Sequence, residues 1–398
     1  MKMPITLYGI LARIISLFVP IKERYWIFGA DYGRTYKEGS RFLLEYMLEN
    51  HPDYHCTFIT RSQAVKKELD EKGIPCEMNY SLRGMVIIAK AEVIFTTQST
   101  IDILFTYRRK KRRYFFLSHG QPYKAVFLAT PKTYGSVRFA EKKGLAKIIY
   151  NIFSFFVRGY EFWDSEFYTS TSDFLVPYNK LYYGENSIIK VLGMPRNDIL
   201  FDDKRISREL WLPNISNKLV ITYMPTHRDY GHGDVCPTPF SDNIEVQEWM
   251  TKNDVVLLVK QHPNMAFKTN TTQFRDVIID ITKQKYDTQV CLYHSDALIT
   301  DYSSVWMDYL ILKRPLIFYY YDNFEEKDTG VLYDLKDDPP GHFCQNEGEL
   351  FELIKKIKEN YDTMCPSDKI VAKYHKYVDG RSCERLFNAI VNNKIDEE

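Results

Sequence analysis

The sequence predicts an α/β protein built from two doubly wound domains that face each other across a cleft, and three observations point there. From residue 25 onward, short apolar runs rich in β-branched and aromatic residues alternate with helical patterns, the succession that builds parallel sheets covered on both faces. The chain has 398 residues, long for one core and comfortable for two domains of ordinary size. A connector containing Pro and Asn at 193–218 separates two such alternating stretches.

The elements follow in order. An apolar run at 5–19, interrupted by Arg13, reads as a helix about 22 Å long against the roughly 30 Å of a bilayer core, too short to cross upright. No small-residue cleavage site follows it, which argues against a secretory signal. Residues 1–21 are therefore expected to form an amphipathic helix lying on a membrane or on the protein itself. Strands are expected at 25–28, 56–59, 93–96 and 114–117, with helices at 41–49, 62–72 and 82–90 between them. The pattern breaks at 131–159, where Lys132, Arg138, Lys142, Lys143, Lys147 and Arg158 interleave with Phe and Ile residues. A basic amphipathic stretch of that kind suits an anionic membrane surface, and equally a packed helix with a solvated charged face. Runs at 167–170, 188–191, 219–222, 255–259, 297–300 and 315–318 read as strands of a second sheet or its approach. The tail at 369–393 reads as helix interrupted at Asp379 and Gly380. The expected organisation is a first α/β domain at 22–195, a second at 196–375 and a terminal helix at 376–398 free to cross back. That is a GT-B arrangement of two Rossmann-like domains, though periodicity alone fits other two-domain α/β folds too.

Composition narrows the partners. With 53 Lys and Arg against 52 Asp and Glu, the net charge is +1, so no global attraction to nucleic acid follows and any basic surface is local. Seven scattered cysteines, none spaced C-x-x-C, indicate neither a disulfide framework nor a zinc site, and a reducing cytoplasm fits best. No acidic cluster has the spacing of a dedicated metal site; a Mg²⁺ ion travelling with a diphosphate is compatible with that.

Five clusters stand at or just beyond the carboxyl ends of expected strands, where open α/β sheets place ligands. The run from 298 to 318 reads as strand, turn and helix. Asp301, Ser303 and Ser304 occupy cap positions, and the helix start would aim backbone N–H groups at a phosphate. After the strand at 114–117 come His119, placed for proton transfer, and Gly120, which permits close approach, with Lys124 completing the run. Arg196, in Gly193 to Asp198, would fork onto a phosphate or fasten the two domains, the fastening being the plainer role. Thr226 and Arg228 offer a hydroxyl and a guanidinium after the strand at 219–222, or else a turn with an exposed ion pair. Lys260 and His262 follow the strand at 255–259; alone, His262 would read as a structural histidine. The 298–318 cluster extends beyond 315–318 through Tyr319, Tyr320, Tyr321 and Asp322, then Gly330 to Asp334, which would stack on a base and hold a ribose, or form an ordinary solvated loop.

In this order and spacing the clusters resemble the CDP-glycerol glycerophosphotransferase family, whose members prime or polymerise the glycerol-phosphate and ribitol-phosphate chains of teichoic acids and some capsules. The resembling motifs are His119-Gly120-Gln121-Pro122-Tyr123-Lys124, Gly193 to Asp198, Met224 to Asp229, Lys260 to Pro263, Thr300 to Val305, Asp308-Tyr309 and Arg314-Pro315, within a match from about 22 to 391. The resemblance implies a GT-B fold and attack of an acceptor hydroxyl on the β-phosphate of a CDP-alditol, with CMP leaving. His119 would be the base. His262 would support the pyrophosphate or protonate CMP. Ser303, Ser304 and Arg228 would hold phosphate. A peripheral enzyme at the cytoplasmic face of the membrane, acting on a lipid-linked acceptor without a required cofactor, is the expectation. Gln121 and Tyr123 depart from the usual Thr and Leu, which bears on the acceptor pocket; the 337–343 stretch and Thr329 depart on the donor side. A nucleotide-sugar glycosyltransferase or epimerase, a CDP-ribitol-using transferase, and a non-catalytic membrane-associated assembly protein are the competing readings.

Overall fold

A computed structural model describes residues 5–103, 109–130, 144, 162–206, 215, 217–226, 237–261, 276–284, 286–322 and 330–392. Apart from Gly144, the basic stretch at 131–159 lies outside the described residues.

Two parallel sheets organise the molecule. The first has the order β3-β2-β1-β4-β5, with β1 Tyr25–Phe28, β2 His55–Thr60, β3 Cys76–Met78, β4 Val93–Thr96 and β5 Arg113–Phe116. Its side chains alternate between two apolar layers. Trp26, Phe28, Phe58, Phe95 and Phe115 face helices Glu38–Asn50 and Gln63–Glu71, while Ile27, Ile59, Ile94, Tyr114 and Phe116 face the opposite side with Ile88 and Tyr183. Burial on both faces is why these strands read as continuous apolar runs. The second sheet has the order β10-β9-β8-β11-β12-β13, with β8 Leu219–Tyr223, β9 Val255–Val259, β10 Ile278–Asp280, β11 Ala297–Thr300, β12 Leu316–Tyr319 and β13 His342–Cys344. It divides in the same way: Val220, Leu258, Leu298 and Phe318 pack on one side, Ile221, Leu257, Ile299 and Ile317 on the other. The fold is the two-lobed doubly wound α/β arrangement.

Two details differ from expectation. The runs near 167 and 188 form β6 Tyr168–Ser170 and β7 Ile189–Val191, which pair only with each other among the described residues. They join neither larger sheet but attach to the first lobe, within the 22–195 span expected for it: Tyr168 is in its core, and the Glu166 N–H donates to the Tyr114 carbonyl at 3.0 Å. The edge strands β3, β10 and β13 were not foreseen, because three residues are too few to establish a period.

The tail divides into helices Asp368–Tyr374 and Ser382–Asn392. The second of these returns to the first lobe, where Leu386, Phe387 and Ile390 join the Trp26 layer and Phe387 stacks on His51 at 3.7 Å between ring centroids. Asp198 holds the start of that helix, its carboxylate accepting from the Ser382 and Cys383 N–H groups at 2.9 and 2.7 Å.

Candidate active site

The strand orders reverse between β1 and β4 in the first sheet and between β8 and β11 in the second, and ligands of open α/β sheets bind outside such switch points. In each lobe an aspartate bridges the gap. Asp301, after β11, accepts from the Thr226 N–H at 2.7 Å and from its hydroxyl at 2.5 Å. The carboxylate is buried, so the expected helix cap is instead a cross-strand tie, and the Thr226 hydroxyl is spent on it. Ser303 takes the capping role, its Oγ accepting from the Val305 N–H at 3.4 Å before helix Val305–Leu310.

His119 stands on a tight turn beyond β5. Ser118 adopts a left-handed φ of 58° and its hydroxyl donates to the Gly120 carbonyl at 3.1 Å. The chain thereby turns sharply and brings Gly120 against the second lobe, where a Cβ at this position would lie 2.5 Å from Ser304 Oγ. That approach, not its dihedral angles, is what favours glycine here. The His119 residue is open to solvent, and desolvation by the surrounding protein lowers the pKa of its imidazole. Glu38 and the Thr97 backbone pull the pKa back up, while Arg196 and Lys37 add to the lowering. The net effect lowers the imidazole pKa and so favours the neutral ring, the form able to accept a proton.

Arg196 resolves in favour of fastening. Buried in the joint, it donates from Nη1 to Glu38 Oε2 at 2.9 Å and to the His119 carbonyl, and from Nη2 to Asp308. With the Gln289 amide oriented to satisfy both its ends, its oxygen accepts from Arg196 Nε at 3.2 Å. The guanidinium expected among the phosphate-binding groups thus ties helix Glu38–Asn50, the His119 turn and helix Val305–Leu310 together. Asn197 adds a bond to Asp308 Oδ1 at 2.8 Å.

The neighbouring segments clamp the same turn. Residues 123–125 and 330–332 form an antiparallel bridge, with the Ala125 N–H donating to Gly330 O at 2.9 Å and the Leu332 N–H to Tyr123 O at 2.8 Å. Lys124 is the centre of that bridge, opposite Val331. Tyr333, expected beside a base or ribose, instead donates to the Pro122 carbonyl at 2.8 Å and packs on Tyr178. Gln121 and Tyr123 point inward: the Gln121 amide donates to Thr169 O at 3.1 Å, and Tyr123 packs edge-on against Trp306. These departures reshape the support behind His119. Lys260 Nζ donates to Tyr286 O at 3.1 Å, Arg314 Nη1 to Ser295 O at 2.7 Å, and Asp322 lies half-buried beyond β12. His262 and Arg228 lie outside the described residues.

The Gly120 turn of the first lobe and Ser304 of the second thus meet at the joint between the lobes. The family model described as CDP-Glycerol:Poly(glycerophosphate) glycerophosphotransferase matches residues 11–392. The chain belongs to that family. Among its relatives is the teichoic acid poly(glycerol phosphate) polymerase of Bacillus subtilis (strain 168), 27% identical over 390 residues, covering 94% of this chain and 49% of that protein. The chain therefore spans about half the length of that relative. The teichoic acid glycerol-phosphate transferase of Staphylococcus aureus (strain NCTC 8325 / PS 47) is 24% identical over 375 residues, covering 91% of this chain and 92% of that one. A solved structure of the wall teichoic acid polymerase TagF superposes with a TM-score of 0.72 at 20% identity, covering 98% of this chain and 94% of that one, a likeness in fold. The GT-B expectation agrees with it.

Sequence reasoning missed Glu38 and Asp102. Both lie just beyond strands of the first sheet, the position that flagged the other clusters, but neither belongs to a recognisable short motif.

Proposed function

We propose that this member of the glycerophosphotransferase family transfers glycerol phosphate from CDP-glycerol to a hydroxyl of a membrane-linked acceptor, releasing CMP. The observation that supports the reading is that the His119-Gly120 turn of one lobe abuts Ser304 of the other, while burial lowers the pKa of the His119 imidazole. In the transfer, the acceptor oxygen bonds to the β-phosphorus, the bond from that phosphorus to the oxygen bridging to CMP breaks, and the acceptor proton passes to His119. His262, in its expected role, supports the diphosphate or protonates the leaving CMP, and Arg228 adds positive charge. Charge stabilisation is the larger part of such catalysis, and a positioned base contributes about 10²–10⁴-fold.

A membrane-peripheral location is part of the proposal. No described helix is long and apolar enough to cross a membrane. Helix Ile5–Phe18 packs one face on Met85 through Tyr8, Leu11, Ala12 and Ile15, while Ile10, Ile14, Leu17 and Phe18 are exposed, the last by 81%. The Arg109 guanidinium donates to the Val19 carbonyl at 2.8 Å, and Lys110 and Lys111 are exposed beside it. An apolar stripe beside basic residues suits the surface of an anionic bilayer.

The decisive experiment incubates the purified protein with CDP-glycerol and a lipid-linked saccharide or glycerol-phosphate acceptor and follows CMP. Release of CMP with formation of a phosphodiester is expected. No release with any CDP-alditol, or a preference for UDP or GDP donors, would overturn the assignment.

A further inference from the structure

Three loops at the first sheet's switch point are tied into one edge. Asp102 is fully buried in the 3₁₀ turn Thr100–Asp102 after β4, and its carboxylate accepts from the Tyr32 N–H at 2.7 Å and from the Thr97 and Gln98 N–H groups at 2.8 and 3.0 Å. The loop after β1 is fastened on its other side to the end of β2, where the Gly33 carbonyl accepts from the Arg61 N–H at 2.8 Å and from the Thr60 hydroxyl at 2.9 Å. Gly33 is closed in, since a Cβ there would lie 2.9 Å from the Asp102 carbonyl oxygen. Asp31 and Tyr32 are held at left-handed φ of 47° and 54°. Residues other than glycine keep that conformation where their surroundings fix it, and such places gather at ligand clamps.

The edge so held presents aromatic and basic groups. Tyr32 is 37% exposed with the Arg34 guanidinium 5.6 Å from its ring centroid, and Ile101, next to Asp102, is exposed as well. The stem of Arg61 lies against the same loop, its Cγ 3.5 Å from where a Gly33 Cβ would stand. The acids of these loops are already engaged. Asp31 pairs with Lys37 at 3.5 Å and accepts from the Thr35 hydroxyl at 2.8 Å, Glu38 is held by Arg196 at 2.9 Å, and Asp102 is buried under backbone N–H groups. Among the described residues neither Arg34 nor Arg61 is paired with a carboxylate.

This basic edge runs into the His119 turn. Lys37 precedes Glu38, and Arg196 Nη1 donates both to Glu38 and to the His119 carbonyl. Strands β2, β1, β4 and β5 are successive neighbours, each about 4.8 Å from the next, so the line from Arg61 after β2 to His119 after β5 spans on the order of 15 Å.

We propose that Arg34, Arg61 and Lys37 form a subsite for phosphate carried by the acceptor: the acceptor is an anionic chain that already bears glycerol phosphate, laid along this edge with its terminal hydroxyl at His119 and an earlier phosphodiester among the cations. The inference rests on the reading of the protein as a glycerol-phosphate transferase and names the acceptor class. Charge complementarity selects that occupant. A bare saccharide offers the guanidiniums nothing to neutralise, whereas each diester offers a negative charge and paired oxygens that suit a forked donor. Tyr32 and Ile101 give the glycerol carbons an apolar wall.

The test compares two soluble, short-chain acceptors built on one lipid-linked saccharide, one ending in the bare saccharide and the other carrying a short run of glycerol phosphate units. The purified chain and CDP-glycerol are used with no bilayer, which takes lipid headgroups out of the comparison. Wild type is expected to favour the phosphate-bearing acceptor at least about tenfold in kcat/KM, and the preference should shrink as salt is raised. Arg34→Gln combined with Arg61→Gln should raise the KM for that acceptor about tenfold while leaving the CDP-glycerol KM and the use of the bare saccharide within about twofold. Inorganic phosphate at the acceptor's concentration should leave the preference intact; its abolition by so small an anion would assign the cluster to free phosphate and overturn the proposal. If wild type releases no CMP with either acceptor, the functional reading fails. If it turns over but uses the two acceptors equally, this inference alone is overturned, whether or not the variant folds. A loss in the variant that is shared by both acceptors, or that falls on the donor KM, overturns it too.

Discussion

A methyl group added to Gly120 would stand 2.5 Å from Ser304 Oγ, so the turn carrying the imidazole and the turn that begins the second lobe's helix leave no gap between them. Gly120→Ala should therefore displace the serine hydroxyl. Rotation of Ser304 relieves part of the clash, so the loss of stability should be modest, about 1 kcal/mol, while turnover falls at least about tenfold. Ser304→Ala removes the obstructing oxygen. A double-mutant cycle on kcat/KM should show the two changes to be strongly non-additive, and simple additivity would mean that the turns do not share a site.

His119→Ala should reduce kcat by about 10²–10⁴-fold while leaving CDP-glycerol binding close to wild type. Because desolvation lowers this imidazole's pKa, the acidic limb of the wild-type kcat/KM profile should lie below the ordinary histidine value near 6.5. A limb above that value would point to a different group as the base.

Arg196→Ala would leave the buried Asp308 carboxylate without its cation, held only by neutral amides, and would deprive the partly buried Glu38 of its partner. A loss of about 3–5 kcal/mol in urea unfolding is expected, with turnover falling too because the His119 carbonyl is released. Were Arg196 instead a phosphate ligand, the variant would keep its stability and raise the donor KM.

His375 supplies a pH test. It is buried, its Nε2 lies 2.6 Å from the Met307 carbonyl, and burial lowers its pKa to about 4. The unfolded chain binds this proton more readily, so the histidine's contribution is complete above about pH 6.5 and is lost as pH falls toward 4, on the order of 3 kcal/mol in all. Asp102, raised to about 6, works in the opposite sense, costing stability as pH rises from about 4 to 6. Wild type should consequently lose its stability advantage over His375→Gln as pH is lowered from 7 to 4.5, and a difference unaffected by pH would contradict the buried neutral ring.

Most of the first lobe was legible because each of its central strands carries an unbroken apolar run bounded by turn residues; β1 at Tyr25–Phe28 and β4 at Val93–Thr96 fall where the pattern placed them. The site clusters were found for a related reason, since strand ends can be read from sequence and ligands gather there. What escaped was partnership across long separations. Nothing in the sequence near Arg196 announces Glu38, 158 residues earlier, or Asp308, 112 later. Asp301 looked like a helix cap because local spacing was the only guide, whereas its partner Thr226 lies across the sheet. The Gly330 to Asp334 run read as a base-and-ribose contact or a solvated loop, yet it forms a bridge to the first lobe, which only the tertiary fold creates.

The route of helix Ser382–Asn392 makes the second lobe an insertion in the first: the polypeptide leaves by the junction at Pro195 and comes home at Ser382. A fragment ending at the junction would lack the lid over Trp26 and Phe95 and should be sticky, whereas joining that fragment to 382–392 through a short spacer would restore a closed surface. Dissecting the protein into its halves is thus a matter of excision, not bisection.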